Sequence, residues 1–332
     1  MYRYIGKRLL MMIPVLIGVS FLVFFILAVS PGDPTRMILG QQASQEAIEA
    51  MREELGLNDN LFVRYFNYMA DAVQGDFGTS WKTKLEVLPQ VLGYFPNTVI
   101  LSLAGIFVAI LIGVPIGILS AKKQYTWVDN IATVLGLVGV AMPNFWLGLL
   151  LVMLFSLQLG WLPSSGMGQG IDLLSSLILP AITLGTGCAA SIMRMTRSSM
   201  LESMRQDYID TARAKGLKER YITRYHMFKN ALIPIVTIIG LQFGMLLGGA
   251  ALTETIFSWP GLGRFMIESI KAKDMPMVLG SAMFLAIMYS VVNLLVDILY
   301  AYVDPRIKAQ YNSMGGKKRA KRFNFKQFGR QE

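Results

Sequence analysis

Few side chains in this sequence have the chemistry to act on a substrate, and their spacing argues against most reactions. The single histidine, His226, sits among basic and aromatic residues in a polar stretch, and no HExxH pair or nucleophile–base couple is formed around it. The single cysteine, Cys188, excludes an internal disulfide and a thiolate metal cluster, and its apolar surroundings make it a small packing residue. No phosphate-cradling G-x4-GK[ST] loop occurs, because Gly316-Lys317-Lys318 lacks the closing hydroxyl residue. An enzyme therefore ranks last among the functions considered, with no catalytic residue, resident cofactor or metal site assigned. What remains are polar groups embedded in apolar runs. Asn144, Thr183, Thr186, Gln242 and Glu254 each need an internal partner or a water-lined cavity, and they form the candidate lining of a translocation path. Asp297 is the one carboxylate well inside an apolar run. It lies seven residues before Asp304, about 10 Å along a helix, so pairing with an arginine at an interface is its favoured reading.

The elements that carry these residues are membrane helices. The chain is 54% hydrophobic and 16% charged, against roughly 25% charged in an average soluble domain. Its apolar residues fall into six runs near the ~20 residues needed to cross hydrocarbon: 9–29, 98–120, 131–157, 173–193, 231–252 and 277–303. The first is too long for a signal-peptide core and is read as a retained helix. Pro14, Pro115, Pro143, Pro180 and Pro234 are expected to kink these helices rather than break them. The predicted fold is all-α and polytopic, with six transmembrane helices.

Basic residues set the orientation, since Lys- and Arg-rich loops resist translocation. The N-terminal tail, 121–130, 194–230 and the C-terminal tail carry 23 of them, against 8 in 30–97, 158–172 and 253–276. Both termini are thus expected in the cytoplasm. The net charge of +10 then belongs to the cytoplasmic face, where anionic lipid suffices as a partner and nucleic acid need not be invoked. The division is 1–29 for the tail and first span, 30–97 for an external subdomain, 98–303 for the core, and 304–332 for a basic tail whose Lys317-Lys318-Arg319-Ala320-Lys321-Arg322 run reads as solvated. In the external segment a helix over 44–55 is expected, with Ser44 as cap, Glu46 in its first turn and Gly56 as stop.

The loop 194–230 is unusually elaborate. Leu201, Met204, Tyr208 and Ala212 fall on one predicted helical stripe, with Asp207 and Asp210 beside it and Arg213, Lys215 and Gly216 arranged as a cationic last turn and glycine cap. A second helix is expected from Leu217 to about Phe228, presenting Tyr221, Ile222, Tyr225 and Phe228. Periodicity alone leaves two readings level, a partner-gripping elbow and a helix resting on headgroups. On the fifth span Gly240, Gly244 and Gly248 form overlapping GxxxG motifs for close helix packing.

The segment Asp210-Thr211-Ala212-Arg213-Ala214-Lys215-Gly216 resembles the EAA-x3-G loop of binding-protein-dependent ABC importer permeases, with Asp210 and Thr211 departing from its first two positions. The resemblance runs over nearly the whole chain and narrows to the dipeptide/oligopeptide/nickel branch, first-permease type. It is carried by Pro31-Gly32-Asp33-Pro34, Leu55-Gly56-Leu57, Gly75-Asp76-Phe77-Gly78, Pro143-Asn144-Phe145-Trp146, Gly160-Trp161-Leu162-Pro163, the 206–217 stretch, Phe257-Ser258-Trp259-Pro260-Gly261-Leu262-Gly263 and Asp304-Pro305-Arg306. It implies a type I importer fold in the inner membrane. Asp207, Asp210, Ala212, Arg213, Gly216, Leu217 and Tyr221 would then form the loop coupled to an ATPase. It also implies ATP and Mg on two separate ABC ATPase subunits, a second permease and an extracytoplasmic substrate-binding protein. Peptides are the expected cargo, with nickel chelates, glutathione or another small solute as the alternative. A stand-alone channel or ion-driven carrier is the rival from another class; the lack of clustered intramembrane carboxylates and of inverted halves argues against it.

Overall fold

A computed structural model of the protein describes residues 2–40 and 42–303. The basic tail 304–332, with Asp304-Pro305-Arg306, Gly316-Lys317-Lys318 and the 317–322 run, lies outside the described residues. Among the described residues the fold is helical, with one isolated antiparallel bridge between Thr79 and Glu86. A long first helix, α1 (Tyr2–Val29), leads into three short ones, α2 (Pro34–Leu39), α3 (Gln45–Glu54) and α4 (Leu61–Val73). Ser44 caps α3 by accepting from the Ala47 amide at 3.3 Å, Ile48 turns inward, and Gly56 adopts φ +62°. The helix expected over 44–55 is present, for the reasons its capping residues suggest.

The membrane part comprises α5 (Val87–Lys122), the pair α6 (Trp127–Ala141) and α7 (Asn144–Leu151), α8 (Asp172–Met204), α11 (Phe228–Gly249) and α14 (Met275–Val303). Between α8 and α11 lie α9 (Asp207–Ala214) and α10 (Glu219–Tyr221); α12 (Ala251–Ile256) and α13 (Leu262–Lys271) precede α14. Among the described residues five stretches are each long and apolar enough to cross a membrane, and the bent α6–α7 pair, counted as one span, makes a sixth. Several helices overrun their apolar cores. At about 1.5 Å per residue, the 36 residues of α5 extend about 54 Å, well beyond ~30 Å of hydrocarbon.

The third span is not the single kinked helix expected from its apolar run. Proline disfavours helical backbone in the residue before it, and Met142 is extended at φ −77°, ψ 121°. The chain turns by 99° there, and α7 restarts on the Pro143 carbonyl, which accepts from the Trp146 and Leu147 amides and is followed by a π-helical turn at Val152–Gln158. Pro14, Pro115, Pro180 and Pro234 all lie inside continuous helices, so Pro143 alone departs from the expectation.

The core is the contact of α5 with α8, around Leu101, Ala109, Leu184 and Ile192. A β-carbon on Gly113 would fall 2.6 Å from the Ala189 carbonyl oxygen, so only glycine permits this approach. One end of the contact is closed by Asp129, whose carboxylate receives both arms of Arg197 at 2.7 Å, the Ser120 hydroxyl and the Tyr125 amide. Three helices are thereby joined through one buried acid. At the side of the bundle, Arg8 of α1 meets Asp297 of α14 at 2.8 Å, the arginine pairing favoured for that acid.

Asp129→Ala strands the Arg197 guanidinium. Its side chain is 28% exposed, so the expected loss is about 2–3 kcal/mol, less than the ~3–5 of a fully buried pair. Thermal unfolding in detergent reads this as a Tm lower by several degrees; an unchanged Tm would contradict the clamp.

Candidate functional site

The loop after α8 folds as an elbow. The single stripe expected through 201, 204, 208 and 212 does not form, because α8 runs on to Met204 and the chain becomes extended at Gln206 before α9 begins. Leu201 and Met204 therefore belong to the membrane helix. Ile209 and Ala212 are the buried residues of α9, and both pack among Ala121, Met200, Ile222, Met227, Ala231 and Ile235. Tyr208 faces outward, its hydroxyl accepting from Asn230 Nδ2 at 2.8 Å.

Acids in the first turn and a cation in the last suit the dipole of α9: Asp207 and Asp210 at one end, Arg213 at the other. Gly216 then takes φ +74°, a conformation in which a side chain is strained, and the helix closes with Gly216 N–H on the Arg213 carbonyl and Leu217 N–H on that of Ala212. Arg213 spans the turn, donating to Asp210 at 3.2 Å and Glu219 at 2.8 Å. A separate helix ending near Phe228 is also not found. From Glu219 the chain is helical through a π-helical stretch at Ile222–Met227 directly into α11, since no proline or glycine interrupts it before Pro234.

Of the residues expected to couple to a partner, Asp207, Asp210, Arg213, Gly216, Leu217 and Tyr221 share the exposed side of this elbow, whereas Ala212 is buried in its anchor. Sequence reasoning did not single out Ile209; it named Tyr221 and Tyr225 but not their exposed stack at 4.6 Å with Arg224 over the Tyr225 ring. Tyr221 and Tyr225 at i, i+4 were the available signal.

Of the candidate path residues, Asn144, Thr183 and Thr186 lie along the α7–α8 contact, whereas Gln242 is on α11 and Glu254 on α12. Thr183 is fully buried, donating to the Leu179 carbonyl and packing where Gly148 leaves room. Thr186 donates to the Ile182 carbonyl and lines a groove with Gly139 and Met142 at the α6–α7 bend, while Asn144 lies beside Gly187. Gln242 of α11 lies beside Cys188 of α8. Glu254 is the clearest departure from a path role. Fully buried, it accepts from the Thr98 hydroxyl at 2.7 Å and the Arg264 amide at 2.8 Å, capping α13 from a distance. Gly261 and Gly263 lie against its carboxylate, and Thr98 also accepts from the Leu262 amide. The Trp259 indole donates to the Asn97 carbonyl in the same cluster. On α11, Gly240 lies against Val296 and Gly244 against Tyr289 and Val292, all on this chain's own α14, while no atom outside the helix's own backbone approaches the Gly248 position within 4 Å.

Residues 113–309 match the family described as binding-protein-dependent transport system inner membrane component, and residues 1–104 match the N-terminal family of such membrane components. The dipeptide transport system permease protein DppB of Alkalihalophilus pseudofirmus is 45% identical, covering 93% of this chain and 100% of its own. The oligopeptide permease AppB of Bacillus subtilis is 42% identical over the same shares. The glutathione permease GsiC of Escherichia coli is 40% identical, over 93% of this chain and 99% of its own. Among solved structures, an inward-facing form of the MetNI methionine ABC transporter superposes with TM-score 0.53 at 18% identity, over 65% of this chain and 96% of that one, a likeness of fold.

Nothing lies within 4 Å of a β-carbon placed on Gly216, so substitution there is expected to act through backbone strain alone. Gly216→Val should cost about 1–2 kcal/mol and Gly216→Asn much less. Amide hydrogen exchange over 207–222 should accelerate in the valine variant and stay near wild type in the asparagine variant; equal rates in both would show that the left-handed residue does not hold the elbow.

Proposed function

The chain belongs to the family of binding-protein-dependent transport system inner membrane components, and from that premise we propose that it is the permease subunit of an ATP-binding-cassette importer moving dipeptides or oligopeptides into the cytoplasm. The names of the two peptide permeases at 42–45% identity support the cargo. The observation that carries the mechanism is the elbow: its outward side is polar and aromatic, while its inward side is fixed to the ends of two helices long enough to cross the membrane.

In this reading, two ATPase subunits bind ATP and Mg and grip the exposed residues Asp207, Asp210, Arg213, Leu217 and Tyr221. Their closure pushes on α9, and Ile209 and Ala212 pass the displacement to α8 and α11. A binding protein delivers the peptide on the opposite side, and a second permease completes the path. Asn144, Thr186 and Gln242 remain the candidate contacts along it, while Glu254 holds the α12–α13 segment in place. Both termini face the cytoplasm, where the basic loops meet anionic lipid. The likeness to a glutathione permease makes glutathione the second reading for the cargo.

Gly216→Pro, which locks φ near −65°, and Asp210→Lys, which reverses the exposed charge, are each expected to lower dipeptide uptake at least about tenfold and abolish substrate-stimulated ATPase activity. Membrane insertion should persist in both. Normal uptake in both variants would overturn the coupling role, and competition among dipeptides, longer peptides, glutathione and nickel identifies the cargo.

A further inference from the structure

A second site lies far from the elbow, where α1 ends. A cavity of about 100 Å³ opens between the Val29 end of α1, the start of α2, α4 and the α13–α14 turn, with Arg64, Lys273, Ser30 and Trp81 on its polar side and Leu27 and Ile270 on its apolar side. Two cations and no carboxylate line it. Arg64 is half-buried, and among the described residues no carboxylate comes within ion-pair distance of it. Its contacts are the Met275 sulfur at 3.9 Å and the face of Phe24 at 5.8 Å, neither of which matches a carboxylate as a counter-charge. Burial presses its pKa downward, with the more distant Asp59 opposing. Lys273 adopts φ +55° and donates to the Pro31 and Gly32 carbonyls, which orient its ammonium without neutralising it and leave one of its three donors over.

We infer that this cavity binds the phosphate of an anionic phospholipid headgroup. Depth supports the assignment, because Leu27 and Ala28 are the last apolar residues on the cavity wall before Ser30, Pro31 and Gly32 leave the helix, which places the two cations where hydrocarbon gives way to headgroups. Trp81 has the amphipathic ring favoured at that boundary. Size is compatible with it: a cavity of about 100 Å³ has room for a phosphate group. The floor is apolar, which suits a group that arrives with acyl chains.

The test uses the complete transporter in detergent, with native mass spectrometry during titration by dioleoylphosphatidylglycerol. Wild type is expected to retain one more lipid than the variant carrying Arg64→Gln and Lys273→Gln, whose retention should be about tenfold weaker. Neither inorganic phosphate nor a dipeptide at millimolar concentration should displace it. Equal retention by the double variant overturns the inference, as does displacement by phosphate or peptide, which would assign the cations to a soluble anion. Should the double variant fail to assemble, Ala28→Phe, which keeps both charges and fills the cavity floor, must lose the lipid; retention there overturns it equally.

Discussion

Burial of Ile209 and Ile222 against the ends of the membrane helices is the constraint on which the remainder of the molecule turns. An isolated helix of eight residues, such as α9, is not stable in water, since nucleation costs more than so few hydrogen bonds return. Ile209 on α9 and Ile222 on the segment after it, both fully buried, together contribute about 3–6 kcal/mol to holding the elbow. Those side chains meet Ala121 of α5, Met200 of α8 and Ile235 of α11, so the elbow cannot shift without straining three helices. α8 and the Glu219–Gly249 segment run without a break from the elbow into the bundle, so under the proposed coupling a push on the elbow would act on both helices directly. The exposed side is free to be gripped because stability comes from the other side.

The apolar core of each span was legible because hydrocarbon leaves a segment no choice but to satisfy its backbone internally. What lies beyond the hydrocarbon was not. The Leu201–Ala212 stripe failed because helical period alone does not report a break, and nothing in Met204-Arg205-Gln206 is a strong breaker. The opposite error occurred at 217–228, where an aromatic-rich stretch continues a membrane helix instead of standing apart from it. At Pro143 the sequence contains the cause, yet kink and break differ only in whether neighbours re-satisfy the freed carbonyls, which depends on packing. Gly216 was readable from its cap context. Glu254 was not, because its partners Thr98 and the Arg264 amide lie in segments that touch only after folding.

The same holds for Asp129. Locally it is one acid beside two lysines in a short loop, indistinguishable from a solvated charge. Folded, it is 4% exposed and takes a bidentate arginine from 68 residues away. Its energy lies in completeness: Arg197, Ser120 and the Tyr125 amide together occupy both carboxylate oxygens, and such a group is costly only when one partner is removed.

Glu254 and Asp129 are related through α5. Thr98, which binds Glu254, and Ser120, which binds Asp129, are separated by 22 residues, about 33 Å along the helix, close to the ~30 Å of hydrocarbon. The two buried acids are thus spaced along α5 by about one hydrocarbon thickness, each fixing α5 to its neighbours by polar contacts, with an apolar, glycine-lined contact to α8 between them. Acidic clamps in the hydrocarbon itself would face a much larger desolvation penalty than near its edges. The apolar run at 98–120 spans the distance between these clamps even though α5 itself reaches from Val87 to Lys122. A helix held at both ends in this way resists bending. Under the proposed coupling, displacement of α8 and α11 by the elbow would be taken up against this doubly fixed α5.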